Sequence, residues 1–232
     1  MPVEIFVQEQ GKLVTVWLTR EKLIQVILDQ LTDGGWDLSA DKADPDMTAM
    51  AIQALAPYYK TNETVKAAVD KALEALSALQ RNDGGFGSWG TVNSESCDQV
   101  IVALTALGID PTADSRFIKN GLTALDALAS FYVTGGGFRH TAGGELNGMA
   151  TEQGYYALAA YYRFVNAQTR LYDMTDVAIQ TGGNTGGDNS GNGTNNGGTP
   201  ATGDTGVLVW VIALPVTILA AAFVLKRKER EA

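Results

Sequence analysis

Three glycine–aromatic runs, Asp33-Gly34-Gly35-Trp36, Asp83-Gly84-Gly85-Phe86 and Gly135-Gly136-Gly137-Phe138, stand about 50 residues apart. Self-similarity at such a period marks an architecture in which one supersecondary unit is stacked on copies of itself. Each copy has an apolar segment before the glycines (Arg20–Leu31, Thr64–Gln80, Arg116–Val133) and another after them (Asp46–Tyr59, Glu95–Leu107, Met149–Val165). Thr48, Cys97 and Thr151 open the later segments at similar distances from the aromatic residue. The unit therefore reads as helix, glycine–aromatic turn, helix.

Spacing separates two kinds of helix. Val65, Ala68, Val69, Ala72, Leu73, Leu76 and Leu79 form one stripe at helical period, with Lys66, Asp70, Lys71 and Glu74 on the opposite side. That pattern predicts an outer helix with one wet face. Ala49–Leu55, Val100–Leu107 and Tyr155–Tyr162 are apolar nearly all round and are expected to be sandwiched as inner helices. Paired glycines permit positive φ and a tight reversal, and the aromatic after them is expected to plug the gap between repeats. Asp44-Pro45, Asp110-Pro111 and Asn62 read as helix-boundary chemistry, with Asp46 as the N-cap of the helix through Tyr59. The fold class expected is all-α.

The runs Gln30-x-x-x-Gly34-x-Trp36 and Gln80-x-x-x-Gly84-x-Phe86 resemble the glutamine–tryptophan repeats of the prenyltransferase and squalene-cyclase superfamily. The third copy is degenerate, with Tyr132 in place of Gln. The resemblance covers about Arg20 to Val165 and implies an α/α toroid, here a partial one of about three helix pairs. DPDMTAMAIQALAPYY, GGFGSWGTVNSESCDQVIVALTALGIDP and GMATEQGYYALAAYYRF resemble, more narrowly, repeat domains of envelope proteins of anaerobic Gram-positive bacteria. An incomplete ring would leave Tyr155–Tyr162 facing water, an exposure that predicts aggregation or dimerisation of the isolated repeats.

Beyond residue 177 the composition changes. Residues 178–198 form a Gly/Asn-rich linker; Thr181 to Gly198 contains no apolar residue and so cannot bury enough surface to offset the entropy of ordering. As a flexible tether it would hold a domain roughly 20–25 Å from its anchor. The uncharged run Val207–Leu225 has the length of a membrane-spanning helix, and Lys226, Arg227, Lys228 and Arg230 after it predict a cytoplasmic end, with the preceding domain extracellular. Ahead of this span stands Thr199-Pro200-Ala201-Thr202-Gly203-Asp204. Motif, apolar span and basic tail together resemble the LPxTG-like cell-wall sorting signals read by sortases. The resemblance implies that the Thr202–Gly203 bond is cut and Thr202 is joined to peptidoglycan, with Pro200, Thr202 and Gly203 as the recognised residues. Thr199 departs from the Leu commonest there and leaves the sortase class open. The domains expected are thus residues 1–19, a remnant; 20–177, the repeat domain; 178–198, the linker; and 199–232, the sorting signal with its transmembrane helix at 207–225. MPVEIFVQEQGKLVTVWLTREKL lacks the pattern of a secretory leader, as expected of a piece of a longer surface protein whose export signal and further repeats lie upstream.

Chemistry is weighed against this frame. A net charge of −9 without a basic cluster before residue 226 excludes nucleic acid as the expected partner. Cys97 is the only cysteine, so neither an intrachain disulfide nor a four-cysteine zinc site can form. Protein prenyltransferases would place zinc ligands at inner-helix starts. Glu95-x-Cys97 meets part of that pattern, but the next helix opens with Thr151, and His140, the only histidine, lies in the preceding turn. Class II cyclases use an Asp-x-Asp-Asp motif to protonate an alkene, and Asp44-Pro45-Asp46-Met47 has two of its three acids. The acidic run Asp37, Asp41, Asp44, Asp46 lacks the spacing of a Ca²⁺ loop. No catalytic or metal-binding residue is assigned. Cobalamin-carrying toroids hold their ligand with polar side chains at inner-helix starts; by that analogy the candidate ligand-binding residues are Asp46, Thr48, Glu95, Cys97, Gln99, Glu152, Gln153 and Tyr155, with cobalamin as a candidate ligand. The function expected is a wall-anchored binding or adhesion module. The alternative is a terpenoid cyclase or prenyltransferase-type enzyme at the envelope.

Overall fold

The computed structural model describes residues 3–9, 12–39 and 42–177. The linker and the sorting signal, with Pro200, Thr202, Gly203 and the run 207–225, lie outside the described residues. Among the described residues no helix is long and apolar enough to cross a membrane. The chain divides into two compact units, Met1–Leu171 and Tyr172–Ala232. Of the second, residues 172–177 are described, a turn in which the Val177 amide donates to Met174 O at 3.0 Å.

The first unit opens with an antiparallel hairpin of β1 (Val3–Glu9) and β2 (Lys12–Leu18), in register from Val3 opposite Leu18 to Glu9 opposite Lys12. The segment 1–19, expected to be a remnant, is thus largely strand. The rest is helical: α1 (Arg20–Asp29), α2 (Pro45–Leu55), α3 (Glu63–Leu79), α4 (Ser94–Leu107), α5 (Ala124–Ser130) and α6 (Gly148–Val165). Two-residue strand pairs close the later glycine turns: β3 (Gly87–Ser88) with β4 (Thr91–Val92), and β5 (Tyr132–Val133) with β6 (Gly137–Phe138).

Local chemistry sets the helix ends. Asp44, and not Asp46, is the N-cap of α2: its carboxylate accepts from the Asp46 and Met47 amides at 3.0 and 3.1 Å. With Pro45 fixing φ at the first helical position, the preceding residue is the one left to cap. Asn62, Asn93 and Asn147 cap α3, α4 and α6 through their side chains. The left-handed Gly108, φ 78°, ends α4. Asp110 closes a turn by accepting from the Thr112 amide and hydroxyl at 2.8 and 2.7 Å.

The span Arg116–Val133 is not one helix. Asn120 and Gly121 both take positive φ, 51° and 79°, which a continuous helix excludes. Thr123 and Asp126 then form a capping box that starts α5 only at Ala124. The preceding residues make a short 3₁₀ turn, Ser115–Phe117, whose Phe117 is fully buried.

α4 packs between α2 and α6, while α3 packs on α2 and α5 on α4. On α3, Val65, Ala68, Val69, Ala72, Leu73 and Leu76 are buried as the stripe predicts, whereas Leu79, the last residue of the helix, is exposed. Each valine and leucine in that stripe contributes about 1.5–3 kcal/mol if fully removed from water. The expectation of sandwiched inner helices holds for α4, where only Gln99 and Ala106 fall short of full burial. It does not hold for α2 and α6. α2 exposes Met50 and Ala54, and α6 buries a narrow line of Ala150, Gly154, Ala157, Ala160 and Arg163. Each has α4 on one side only.

Candidate functional site

The glycine–aromatic turns tie the repeats to the starts of the inner helices. In the first copy the Trp36 amide donates to Thr48 Oγ1 at 3.0 Å and the Thr48 hydroxyl donates back to Trp36 O at 3.1 Å. The third copy repeats the clasp with Phe138 and Thr151, at 3.0 and 3.3 Å. A Cβ on Gly35 or Gly137 would stand 2.5 or 2.4 Å from those threonine side chains, so glycine is what lets the hydroxyl in. In the second copy Cys97 takes the threonine's place against the Phe86 backbone, its thiol also directed to Asn93 O at 3.5 Å. Trp36, Phe86 and Phe138 are all buried. The side-chain amide of Gln80 braces the second turn by donating to Gly84 O and Phe117 O at 2.9 and 3.0 Å. Tyr132, which replaces that glutamine in the third copy, packs edge-on against Phe138 instead.

Acidic groups gather at the starts of α2 and α4. Glu95 is buried and its Oε2 takes both the Ser94 hydroxyl at 3.0 Å and His140 Nδ1 at 2.8 Å. Asp44, besides capping α2, holds the Ser88 hydroxyl. Asp46 Oδ1 is buried without a hydrogen-bond partner. Burial raises the Asp46 carboxyl above the usual range, helped by Asp44 and Glu95 and opposed by the Ser96 hydroxyl and His140. Asp98 is fully buried and neither carboxyl oxygen has a hydrogen-bond partner. Loss of water pushes its carboxyl well above the usual aspartate range, and Glu95, Asp46 and Glu152 add to the shift. Burial likewise raises the Cys97 thiol, with Asp98, Asp83 and Asp46 adding to the shift while the Phe86 backbone opposes it, so Cys97 is an inert packed thiol.

One turn further along, uncharged groups form a row across all three inner helices. Gln53 Nε2 on α2 donates to Gln99 O and Oε1 on α4, both at 3.0 Å. Gln99 Nε2 in turn donates to Gln153 Oε1 at 3.0 Å and to the Tyr156 hydroxyl, both on α6. Ala106, two turns or about 10 Å beyond Gln99 on the same face of α4, reaches a cleft of about 490 Å³ at the other ends of the helices. Pro57, Lys60, Ala160, Phe164 and Arg170 also line it. The cleft and the acidic starts thus lie at opposite ends of the inner layer.

The residues proposed from sequence fall into three groups, with Tyr155 apart from all of them. Gln99 and Gln153 meet in the amide row; Asp46 and Glu95 meet in the acidic cluster, with Glu152 exposed at its edge. Thr48 and Cys97 are committed to holding aromatic turns. Tyr155 packs edge-on against Phe138 and contributes nothing to the row. Sequence reading gives no site role to Asp98 or Gln53, and Tyr156 enters it only as one of the α6 aromatic residues able to line a pocket or stack on sugars. The acidic run Asp37, Asp41, Asp44, Asp46 is partly consumed locally: Asp37 binds its own neighbour Ser39, Asp44 caps α2, and Asp41 lies outside the described residues. Among the described residues no group of three or more His, Cys, Asp or Glu has the geometry to hold a metal ion. No known family model matches the chain, and no characterised protein matches it in sequence.

Proposed function

We propose that the chain is a surface-displayed binding module: a partial α/α toroid carried on the 178–198 linker, held by a membrane helix at 207–225 and joined by sortase to peptidoglycan through Thr202. Its ligand is received on the face that α2, α4 and α6 leave uncovered. The observation that carries this reading is the row Gln53–Gln99–Gln153–Tyr156. Buried polar groups that serve only the fold are ordinarily closed off, whereas this row is half-exposed, and Gln53 Oε1 and Gln153 Nε2 are free of any bond within it. A ligand that offers both donors and acceptors, as the amide side chains of a corrinoid do, matches it.

The test is titration of the full chain with cyanocobalamin and, separately, with an isoprenoid diphosphate, following tryptophan emission; Trp89 is 80 % exposed and serves as reporter. Saturable corrinoid quenching beyond the inner-filter correction, lost in Gln99→Ala, supports the reading. Absence of any saturable change with both removes small-ligand capture and leaves adhesion to proteins or glycans.

One observation favours a second reading, an envelope enzyme acting on isoprenoids. The Asp98 carboxyl is fully buried near an inner-helix start and loss of water raises it well above the usual aspartate range, the direction that suits a proton-donating acid. Turnover of an isoprenoid substrate that disappears in Asp98→Asn would establish it. The zinc variant of that reading gains nothing: Cys97 is sealed and His140 is turned to Glu95.

A further inference from the structure

The two ends of the inner helices differ in charge. Asp44, Asp46 and Glu95 stand at the starts, whereas the cleft of about 490 Å³ at the far ends has no Asp or Glu in its lining, and its charged residues are Lys60 and Arg170. This contrast falls in a chain of net charge −9. The two cations come from the chain after α2 and the chain after α6, the helices that flank α4. Lys60 is exposed and has no hydrogen-bond or ion-pair partner among the described residues. The acids close by are engaged: Asp70 accepts from the Tyr59 hydroxyl at 2.6 Å and from Lys66 Nζ at 2.5 Å, and Asp110 holds Thr112. Helix-end carbonyls are taken as well, on α4 by the Gly108 and Ile109 amides and on α6 by those of Asn166, Ala167 and Gln168. One wall is firmly built. Arg163, 8 % exposed on α6, donates to Thr169 O and Oγ1 at 2.7 and 2.9 Å, and the Gln168 amide donates to Arg163 O at 2.9 Å. These bonds fold the chain after α6 back on the helix and set Ala167, Gln168 and Arg170 in the lining. Ala167 is held there at φ 53°, a helix-end conformation that glycine usually takes.

We propose that this cleft is a binding site separate from the amide row, and that it takes a small organic acid: an apolar, ring-sized body bearing one carboxylate. Ala56, Ala106, Leu107, Ala160 and Phe164 give it an apolar floor, and the alanines leave room that larger side chains would fill. Its volume lies within the range of small-molecule sites, about 300–1,000 Å³. A ring laid on that floor leaves water, and its carboxylate is met by the Lys60 ammonium and by the planar guanidinium fork of Arg170, which matches two carboxylate oxygens. A cationic ligand would meet like charge at the same place, and a neutral one would forgo both charged donors. The cleft lies about 10 Å along α4 from Gln99, so the inference stands whether or not the amide row receives a corrinoid.

The experiment is titration of the isotope-labelled full chain at pH 7 with 2-naphthylacetate and, in parallel, with its neutral amide and with 2-naphthylethylamine, followed by backbone amide shifts in NMR. The acid is expected to give saturable shifts at Ala106, Leu107, Ala160 and Ala167, with the Gln53 and Gln153 amides unmoved. The neutral amide is expected to bind at least about tenfold more weakly, and the amine not to saturate. Lys60→Glu, at an exposed position, is expected to weaken the acid by about tenfold with the melting temperature unchanged, and Ala106→Leu to fill the floor and abolish binding. The proposal is overturned if the acid gives no saturable shift at the cleft, if the amine binds as tightly as the acid, or if Lys60→Glu binds the acid as the wild type does. The three probes on the wild-type chain keep the test independent of how Ala106→Leu folds.

Discussion

The second repeat and its two neighbours use one motif in two different ways. In the first and third copies a threonine hydroxyl clasps the aromatic's backbone, and α2 and α6 keep a face uncovered. In the second copy a buried thiol stands in that place and α4 is packed on nearly every side. Position in the stack, more than local sequence, decides the environment. Central placement strips water from Glu95, Ser96 and Asp98, and the perturbed acid appears there. Glu152, also near an inner-helix start, remains exposed because α6 has a single inner neighbour.

The sharpest way to break this comparison is at the glycines. Gly137→Ala puts a Cβ 2.4 Å from Thr151 Oγ1 and 2.9 Å from its Cβ, and Gly35→Ala puts one 2.6 Å from Ala43 Cβ. Each is expected to lower stability by about 3 kcal/mol or to unfold the turn. Gly85→Ala meets nothing nearer than Asp83 Oδ1 at 3.2 Å and is expected to cost about 1 kcal/mol or less. Urea denaturation of the three variants checks the contrast; equal losses would show that the threonine clasp does not distinguish the copies.

A smaller effect is expected at the clasp itself. Thr48→Val leaves the Trp36 amide without its acceptor in a fully buried position and should cost about 1–3 kcal/mol. Thr151 is only half-buried, so water can replace part of its bond and Thr151→Val should cost less. Cys97→Val loses a weak donor and adds about one methyl group to a packed site, for about 1 kcal/mol. Melting curves rank the three, and a Cys97→Val loss matching that of Thr48→Val would contradict the distinction. Smallest of all, Met149→Ala on the exposed start of α6 should change stability by less than about 0.5 kcal/mol.

Much of the layer plan was legible because it rests on periodicity. The α3 stripe and the apolar α4 follow directly from spacing, and Gln80 identifies itself by its distance from the glycine turn. α5 was less legible: the left-handed pair Asn120-Gly121 and the Thr123–Asp126 box interrupt a segment whose apolar spacing alone reads as continuous helix. Asp98 was hidden for a different reason. An acid near the start of a helix reads as a partner for the helix dipole, and only the packing of α2 and α6 around α4 shows that it has no water. Tyr155 and Tyr156 differ by one residue, about 100° of helix, and the pattern of apolar residues on α6 did not choose between them. The row from Gln53 to Gln153 joins side chains 100 residues apart and has no local signature.

The proposal that this module is displayed on a cell wall is tested most directly by its C-terminus. The purified full chain is incubated with sortases of the different classes and a glycine-based amine, and the products are read by mass spectrometry. The account predicts cleavage between Thr202 and Gly203, with the amine joined to the Thr202 carboxyl and the segment 203–232 released. A chain left intact by every class, or cut at another bond, would contradict it.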